Sequence, residues 1–546
     1  MANRPNILLI LNDDMGYSDI GCYGGEVHTP SLDRLAYNGL RYTQFYNTAR
    51  CCPSRASLLT GLHPHQADVG HMMDNLDIDG YLGDLSPNTA TIAEVLHAAG
   101  YCTYMSGKWH VTLHQHDKKH NWPLQRGFDR FYGTMAGASS YWDATALTDG
   151  NERIKSPRSG FYSITDDFSD HMATFIEDHA SERADKPFFG YLAYTAPHWP
   201  LHAPEEDIAH YHGRFDAGWD KLREQRLERM VRMGIIHPNW RLSPRDPSQP
   251  PWDDEPNKEW QARRMQVYAA QIERMDRGIG RVIDALERTG QLENTLIIFL
   301  ADNGGCAEEF PVRMRYHEEY PWEPIRTRDG RVVQYGNGPT VWPGGEDTYS
   351  SYGVAWANLS NTPFREYKHW VHEGGISTPF IVHWPAGIDA KHNGKLRHQA
   401  GQLPDVMATF LDVAGAKYPA MRDGNEVQPC EGFSMRQTFD GGEPLRDVLY
   451  FEHEGNKCVR RGKWKMVTKH PGGWELYDME LDRTELNDLS AKHPQIVAEL
   501  SKLYDAWAER IGVRPWDEVL AALYAVEDRE ERRRREERER LEKERK

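Results

Sequence analysis

The sequence has few cysteines, no excess of basic residues and no long hydrophobic run. Seven cysteines in 546 residues are too few, and odd in number, for a disulfide framework. The formal net charge of −17 argues against nucleic acid and long polyanions as partners, because both need a basic surface. Every apolar run is far shorter than the ~20 residues that span a bilayer. We therefore expect neither nucleic acid nor a membrane as a partner, whereas a small anionic ester remains compatible.

The N-terminus shows no secretory signal peptide. Met1-Ala2-Asn3-Arg4-Pro5 leads directly into a strand-like run, without an apolar h-region or a small-residue cleavage site. If Met1 is the native start, we expect a cytoplasmic protein. If a leader has been removed, the protein is periplasmic or secreted.

Strand and helix patterns alternate through the first 300 residues. Short apolar runs typical of buried parallel strands lie at Asn6–Leu11, Tyr101–Ser106, Phe188–Tyr194 and Thr295–Leu300. A long amphipathic helix is predicted over Gln261–Glu287. This alternation predicts an α/β fold with a large, mostly parallel sheet sandwiched by helices.

The C-terminal part of the chain has a different character. We expect residues 1–440 to form one large domain, in which residues 306–350 form a lid or insertion because they are rich in Pro, Gly, Arg and Trp. Residues 441–512 read as a small α+β domain with an antiparallel sheet. We expect residues 513–546 to form a charged helical tail, because Glu527–Lys546 mixes Glu and Arg so densely that it predicts a solvated helix. The alternative for this C-terminal region is a contact in a homo-oligomer.

Conspicuous polar groups follow four of the predicted strands. They are Asn12-Asp13-Asp14, Gly107-Lys108-Trp109-His110, Pro197-His198-Trp199 and Asp302-Asn303-Gly304-Gly305. Each alone could be a turn, a helix cap or a surface histidine. Because the carboxyl ends of parallel strands meet at one edge of a sheet, where active sites gather, four such groups together predict a functional site.

The oxygen-bearing side chains at these strand ends suggest a metal site. They are Asp13, Asp14, Asp302 and Asn303. Oxygen ligands suit calcium or magnesium, whereas zinc would normally require His or Cys. A second histidine-rich segment holds His114, His116 and His120, but its spacing matches no standard zinc pattern. We interpret that segment as a solvated loop.

Residues 50–61 read RCCPSRASLLTG and predict a short helix with Pro53 in its first turn. Cys51 then lies near the helix N-terminus, where backbone N–H groups favour an anion. A thiol at this position is compatible with a structural cysteine, a redox thiol or the precursor of a nucleophile. We expect the neighbouring Cys52 to have no chemical role.

The motif Cys51-x-Pro53-Ser54-Arg55, followed by Leu59-Thr60-Gly61, resembles the signature of the type I, formylglycine-dependent sulfatases of the alkaline phosphatase superfamily. Further blocks resemble that family in the same order: Asn12-Asp13-Asp14, Gly107-Lys108-Trp109-His110, Ala196-Pro197-His198, Asp302-Asn303-Gly304, Lys368-x-x-x-x-Glu373-Gly374-Gly375, Trp464-Lys465 and Glu475-Leu476-Tyr477-Asp478. The resemblance covers about Pro5–Leu489. It implies a sulfuric ester hydrolase of the bacterial arylsulfatase type, acting on a small sulfate ester.

The resemblance also implies the chemistry. Cys51 would be oxidised to formylglycine by a formylglycine-generating enzyme, the expected maturation partner. One hydroxyl of the hydrated aldehyde would attack sulfur and the other would expel sulfate, an exit that a serine lacks. Calcium, with magnesium or manganese as substitutes, would be held by Asp13, Asp14, Asp302 and Asn303 and would polarise the sulfate.

The remaining family positions carry over as catalytic and substrate-binding groups. Arg55 and Lys108 would hold the hydrated aldehyde, and Asp302 could also accept a proton from the nucleophile. His110 would take the proton during sulfate release. His198 and Lys368 would bind the sulfate and protonate the leaving oxygen. Lys108 would also bind the sulfate. One further polar position, Ser139 or Ser140, is left open.

Two alternatives remain at this point. A formylglycine-dependent phosphonate monoester or phosphodiester hydrolase would use nearly the same site, although the resemblance of Asn361–Phe380 to bacterial arylsulfatases favours sulfate, with some promiscuity. A non-catalytic protein that binds sulfated ligands would instead keep Cys51 unmodified. The alcohol part of the substrate is open, because Tyr141, Trp142 and Trp199 could line an aromatic pocket or simply pack in the core.

Overall fold

The computed structural model describes residues 4–115, 118–311, 325–443 and 446–544. The strands are β1 (Asn6–Asn12), β2 (Leu40–Tyr46), β3 (Cys102–Lys108), β4 (Arg130–Thr134), β5 (Leu147–Asp149), β6 (Glu152–Arg153), β7 (Phe188–Ala193), β8 (Thr295–Ala301), β9 (Gln334–Tyr335), β10 (Thr348–Tyr349), β11 (Ser377–His383), β12 (Lys395–Arg397), β13 (Gly401–Gln402), β14 (Met421–Arg422), β15 (Asn425–Glu426), β16 (Val448–His453), β17 (Asn456–Arg461), β18 (Trp464–Thr468) and β19 (Glu475–Asp478). The α-helices are α1 (Pro30–Tyr37), α2 (Cys51–Thr60), α3 (Ile92–Ala98), α4 (Ile164–Glu182), α5 (Glu205–Ala209), α6 (Gly218–Arg232), α7 (Lys258–Arg288), α8 (Gly353–Ser360), α9 (Glu373–Ile376), α10 (Leu403–Ala414), α11 (Pro494–Ile511) and α12 (Trp516–Glu544).

The large sheet confirms the predicted α/β fold. Its strand order is β12-β2-β11-β8-β1-β7-β3-β4-β5-β6, with β13 also paired to β2. The pairs from β8 through β1, β7 and β3 to β4 are all parallel, whereas β11 and the β4-β5-β6 edge are antiparallel. The parallel centre therefore presents the carboxyl ends of five strands at one edge.

Helices cover both faces of this sheet because its central strands are apolar on both sides. In β1, Leu8 and Ile10 belong to one core cluster, while Ile7, Leu9 and Leu11 belong to the other, as the two-residue period of a strand requires. Helices α1, α4 and α7 contribute to the first cluster. Helices α2, α3 and α10 contribute to the second.

A four-stranded antiparallel sheet of order β16-β17-β18-β19 forms the smaller C-terminal domain. Its apolar face packs on α11 through residues such as Val459, Leu476 and Trp507. The Glu/Arg-rich stretch from Glu527 is helical, as predicted, but α12 begins before it, at Trp516. Val519 of this helix is fully buried against Leu76 and Tyr81. The start of the tail is therefore packed rather than solvated.

The predicted insertion at residues 306–350 contains the short parallel pair β9 and β10. Val333, Tyr335 and Tyr349 form a small apolar cluster there, and Trp199 packs against it. Residues 312–324 of the insertion lie outside the described residues. No helix in the described part of the chain is long and apolar enough to cross a membrane.

Candidate active site

The ends of β1 and β8 bring the predicted oxygen donors together. The two strands pair in parallel with Asn12 opposite Ala301, so the residues that follow them lie side by side. The donors Asp13, Asp14, Asp302 and Asn303 are all buried. The Asp14 amide lies 3.3 Å from Asp302 Oδ1, and Asn303 Nδ2 donates to Asp14 Oδ1 at 2.7 Å.

Three buried cations face these three carboxylates. Arg55, from α2, donates to Asp302 Oδ2 through Nη2 at 2.9 Å and Nε at 3.1 Å. Lys108 Nζ, at the end of β3, lies 2.5 Å from Asp13 Oδ2. A lysine from the loop before α9, Lys368, places its Nζ 2.9 Å from Asp14 Oδ2. Because an unpaired buried charge is very costly, each charged group in this cluster needs a partner of opposite sign, and the one-to-one pairing supplies it.

The pKa values of two carboxyl groups diverge within this cluster. Burial alone would raise the pKa of Asp13, but Lys108, His198 and Arg55 together lower it to about 2. The pKa of Asp302 is raised well above its usual range, first by burial and then by the negative charge of Asp13. A further cation beside these groups would favour the ionised form of Asp302.

Two buried oxygens in the cluster have no hydrogen-bond partner among the described residues: Asp13 Oδ1 and Asn303 Oδ1. Buried polar atoms are normally satisfied, so orphaned oxygens among carboxylates point to a ligand. An all-oxygen donor set fits a hard divalent cation such as calcium or magnesium. The residues present therefore fit the expected metal.

Cys51 is the first residue of α2 and is 3% exposed. The pKa of its thiol is lowered well below the usual range, first by a hydrogen bond with Cys52 and then by Lys108, His110 and Lys368, against the effect of burial. This position, at a helix N-terminus facing three cationic or imidazole groups, stabilises negative charge at the Cys51 side chain.

His110 lies beside Cys51 as a neutral base. Burial first, and then the charge of Lys108, lowers the pKa of His110 to about 4. Gly137 leaves room for the imidazole, because a Cβ at that position would lie 2.4 Å from His110 Nε2. A buried imidazole that is neutral at pH 7 can accept a proton.

His198 and Lys368 lie side by side next to Asp14. Lys368 Nζ lies 3.4 Å from His198 Nε2, and the other ring nitrogen, His198 Nδ1, lies 2.6 Å from the Trp199 carbonyl oxygen. Since a carbonyl only accepts, Nδ1 carries a proton and Nε2 faces the site. The hydroxyl of Tyr141 donates to the backbone oxygens of Thr195 and His198, which fixes this loop.

Every residue predicted for the site thus converges on one location, but sequence reasoning missed Glu308 and Arg50. Glu308 accepts from Arg50 Nη1 and from Trp199 Nε1, both at 2.8 Å. The pKa of Glu308 is lowered far below its usual range: burial would raise it, but Lys368, Arg50 and His198 outweigh that effect. Glu308 lies in an irregular loop, where no periodic pattern in the sequence could have identified it. Arg50 could have been identified only by its position next to Cys51.

The two serines left open by the sequence analysis accept hydrogen bonds from backbone amides. Ser139 Oγ accepts from the Thr145 amide at 2.6 Å, and Ser140 Oγ accepts from the Asp143 amide at 3.2 Å. Both serine hydroxyls therefore hold their own loop. In the histidine-rich segment, exposed His120 pairs with Asp84 at 2.7 Å, and His116 lies outside the described residues.

Comparisons with known proteins agree with this geometry. The sequence model of the family described as Sulfatase matches residues 5–416, and the one described as N-sulphoglucosamine sulphohydrolase, C-terminal, matches residues 365–509. The chain is 35% identical to an arylsulfatase of Klebsiella aerogenes over 451 residues, 79% of this chain and 91% of that protein. It is 32% identical to an uncharacterized sulfatase of Schizosaccharomyces pombe over 547 residues, 94% of this chain and 95% of that protein.

Solved structures share the fold. The crystal structure of Ps i-CgsB has a TM-score of 0.65 and 22% identity, covering 95% of this chain and 99% of that chain. The structure of BT4656 in complex with its substrate D-glucosamine-2-N,6-O-disulfate has a TM-score of 0.62 and 19% identity, covering 94% and 99%. The large sheet and the smaller C-terminal domain are thus a recurrent architecture.

Proposed function

The chain belongs to the sulfatase family, and we propose that it hydrolyses small sulfate monoesters through a formylglycine made from Cys51, with calcium held by Asp13, Asp14, Asp302 and Asn303. The observation that carries this proposal is the convergence of three buried cations and a neutral imidazole on Cys51, beside orphaned carboxylate and amide oxygens. A structural or redox cysteine would not need this arrangement.

Formylglycine and the divalent cation each supply one kind of chemistry. Formylglycine supplies a hydrated aldehyde, one hydroxyl of which is the nucleophile and the other the means of releasing sulfate. The divalent cation supplies Lewis acidity toward a sulfate oxygen. Magnesium or manganese could replace calcium, because the donor oxygens suit any of these hard ions.

The chain's own residues position the nucleophile and move the protons. Arg55 and Lys108 anchor Asp302 and Asp13, so these two side chains are held in place at the metal position. His110, neutral at pH 7, takes the proton from the hydroxyl that remains after attack. Because these groups are held before substrate arrives, they stabilise the transition-state charge without reorganisation.

His198 and Lys368 act on the leaving group. Lys368 Nζ and His198 Nε2 lie 3.4 Å apart on the same side of the site. When it is protonated, His198 donates its Nε2 proton to the leaving oxygen, and Lys368 offsets the charge that develops there. Since Lys368 also contacts Asp14, it links the leaving-group side to the metal position.

An aromatic wall beside His198 supports an aryl sulfate as the first substrate to test. The ring of Trp199 lies 4.4 Å from the His198 ring, and Phe310 lies 5.1 Å from Trp199. Aromatic side chains stack favourably on an aromatic alcohol. The name of the Klebsiella aerogenes relative, arylsulfatase, agrees with this choice.

The test compares kcat/KM for an aryl sulfate with kcat/KM for an aryl phosphonate and an aryl phosphodiester that share its leaving group, with calcium present. The ratio reports differential transition-state binding without leaving-group effects. We expect the sulfate ester to be preferred by orders of magnitude. A preference for the phosphonate or the diester would overturn the proposed reaction.

Two variants of adjacent cysteines make this test specific. Cys51→Ala removes the precursor of formylglycine and should abolish turnover. Cys52→Ala, at the variable position of the motif, is the matched control and should keep turnover within a few-fold of the original protein. Equal activity of Cys51→Ala and the unsubstituted protein would contradict the mechanism.

A further inference from the structure

A second cluster of metal-ligating side chains lies where the β16–β17 hairpin meets the large domain. The hairpin turn consists of Glu454 and Gly455, with φ angles of 52° and 76°. Two-residue turns of this kind favour Asn, Asp or Gly at both positions, because φ is positive. A glutamate there is disfavoured by the backbone, which points to a role for its side chain.

Three histidines surround the Glu454 carboxylate. His71 Nε2 lies 2.9 Å and His453 Nε2 lies 3.3 Å from Glu454 Oε1. His369 Nδ1 lies 3.0 Å from Glu454 Oε2. The ligand atoms of His369, His453 and Glu454 all lie within 4.8 Å of one another.

The cluster is buried, and its hydrogen-bonding capacity is incompletely used. His453 is fully buried and neither of its ring nitrogens makes a hydrogen bond with the described residues. His369 is 28% exposed at its side chain, so an ion can enter from that side.

The spacing fits a tetrahedral ion. Ligands held 2.0–2.1 Å from zinc at the corners of a tetrahedron lie about 3.4 Å from one another. The two proposed imidazole ligands lie 3.0 and 3.3 Å from the Glu454 carboxylate oxygens, and one ligand atom from each of the three residues lies within 4.8 Å of the others. Two imidazoles and a carboxylate with one open position form a recurrent zinc donor set, unlike the all-oxygen set beside Cys51.

We propose that His369, His453 and Glu454 bind a zinc-type transition-metal ion, with His71 hydrogen-bonded to the carboxylate ligand and fixing its orientation. The ion joins the large domain, through His369, to the hairpin of the C-terminal domain. Because His369 directly follows Lys368, the ion also anchors the backbone that carries Lys368. The φ of 91° at His369, rare for a residue other than glycine, is held by that anchor.

The test uses the full chain with its oxygen-donor site kept saturated with calcium. Protein stripped of metal with a chelator is dialysed into calcium and titrated with Co²⁺ and then with Zn²⁺. The bound metal per chain is measured by elemental mass spectrometry. We expect one zinc per chain and the intense visible absorption of four-coordinate Co²⁺, displaced by Zn²⁺. The variants Glu454→Gln and His369→Gln should lose both signals, and His71→Ala should bind about 10–100-fold more weakly.

His65→Gln is the matched control. His65 pairs with Glu452 at 2.9 Å across the same junction, but no second histidine joins that pair among the described contacts. We expect this variant to keep its zinc. If Glu454→Gln does not fold, His369→Gln decides, because that side chain is partly exposed and its loss leaves the core intact. Equal zinc binding by the original protein and these variants, or no zinc binding at all, would overturn the proposal and leave a plain histidine–carboxylate ion-pair cluster.

Discussion

Replacing Lys465 by methionine tests how the C-terminal sheet is held against the large sheet. Lys465 Nζ lies 2.9 Å from Glu373 Oε1 and 2.8 Å from Glu485 Oε1. Arg483 Nε donates to Glu373 Oε2 at 2.7 Å. All four side chains are at most 1% exposed. Two carboxylates and two cations therefore balance each other inside the interface.

The expected cost can be estimated in two ways. Breaking a buried ion pair by removing one partner typically costs about 3–5 kcal/mol, because the other charge remains buried. Burial would raise the pKa of Glu373, but Lys465 and Arg483 outweigh it and lower the pKa from 4.5 to about 2. That shift is equivalent to about 3 kcal/mol. For 546 residues the unfolding entropy is roughly 1.1 kcal/mol per kelvin, so Tm should fall by about 3–4 °C.

Differential scanning calorimetry at pH 7 measures this change. Lys463→Met is the matched control, because Lys463 pairs with Asp478 at 2.7 Å but is 42% exposed. An exposed pair contributes less than about 1 kcal/mol, so the control should lower Tm by less than about 1 °C. Equal shifts for Lys465→Met and Lys463→Met would refute the reasoning.

Three further predictions concern the active site and the interface. His110→Asn should lower kcat by about 10²–10⁴-fold, measured by steady-state turnover, because the variant lacks the base. In the unsubstituted enzyme, activity should fall at acid pH as His110 becomes protonated, with a midpoint nearer pH 4 than pH 6.5. Lys368→Met should lower kcat/KM for an aryl sulfate by about 10–150-fold, because the variant loses one charged hydrogen bond. An unchanged kcat/KM would show that Lys368 has no part in the mechanism. Acid unfolding should show the Glu373 contribution complete above pH 4.5 and lost as pH falls toward 2, since its folded-state pKa is depressed; Glu373→Gln should flatten that dependence.

The central strands could be predicted from sequence because burial on both faces leaves a strong apolar signal. The predicted strand at Phe188–Tyr194 differs from β7 by a single residue. By contrast, β17 was not predicted, because Lys457, Arg460 and Arg461 interrupt its pattern. Its pairing with β16 and β18 stabilises it, and that long-range information is absent from local sequence.

Helix α3 begins with a capping box, a local interaction that the sequence alone predicts. Thr91 Oγ1 accepts from the Glu94 amide at 3.1 Å, and Glu94 Oε2 accepts from the Thr91 amide at 2.7 Å, so three residues of spacing suffice to predict it. The buried start of α12 was missed because its partners, Leu76 and Tyr81, are about 440 residues away.

Part of the candidate site followed from topology alone. Asp13, Lys108, His198 and Asp302 stand at or just after strands that are neighbours in the sheet, so the strand-end rule predicted their convergence. Lys368 lies on an irregular loop, and only the family resemblance indicated it. No local pattern indicated Glu308.

The most direct measurement for the central claim is the mass of the tryptic peptide Cys51–Arg55, taken alongside turnover of an aryl sulfate. Chain produced with a formylglycine-generating enzyme should carry the aldehyde, which is lighter than the thiol, and kcat per chain should rise in proportion to the modified fraction. Chain that retains the thiol should bind the sulfate ester without turning it over. Full turnover by chain whose Cys51 is entirely a thiol would contradict the account.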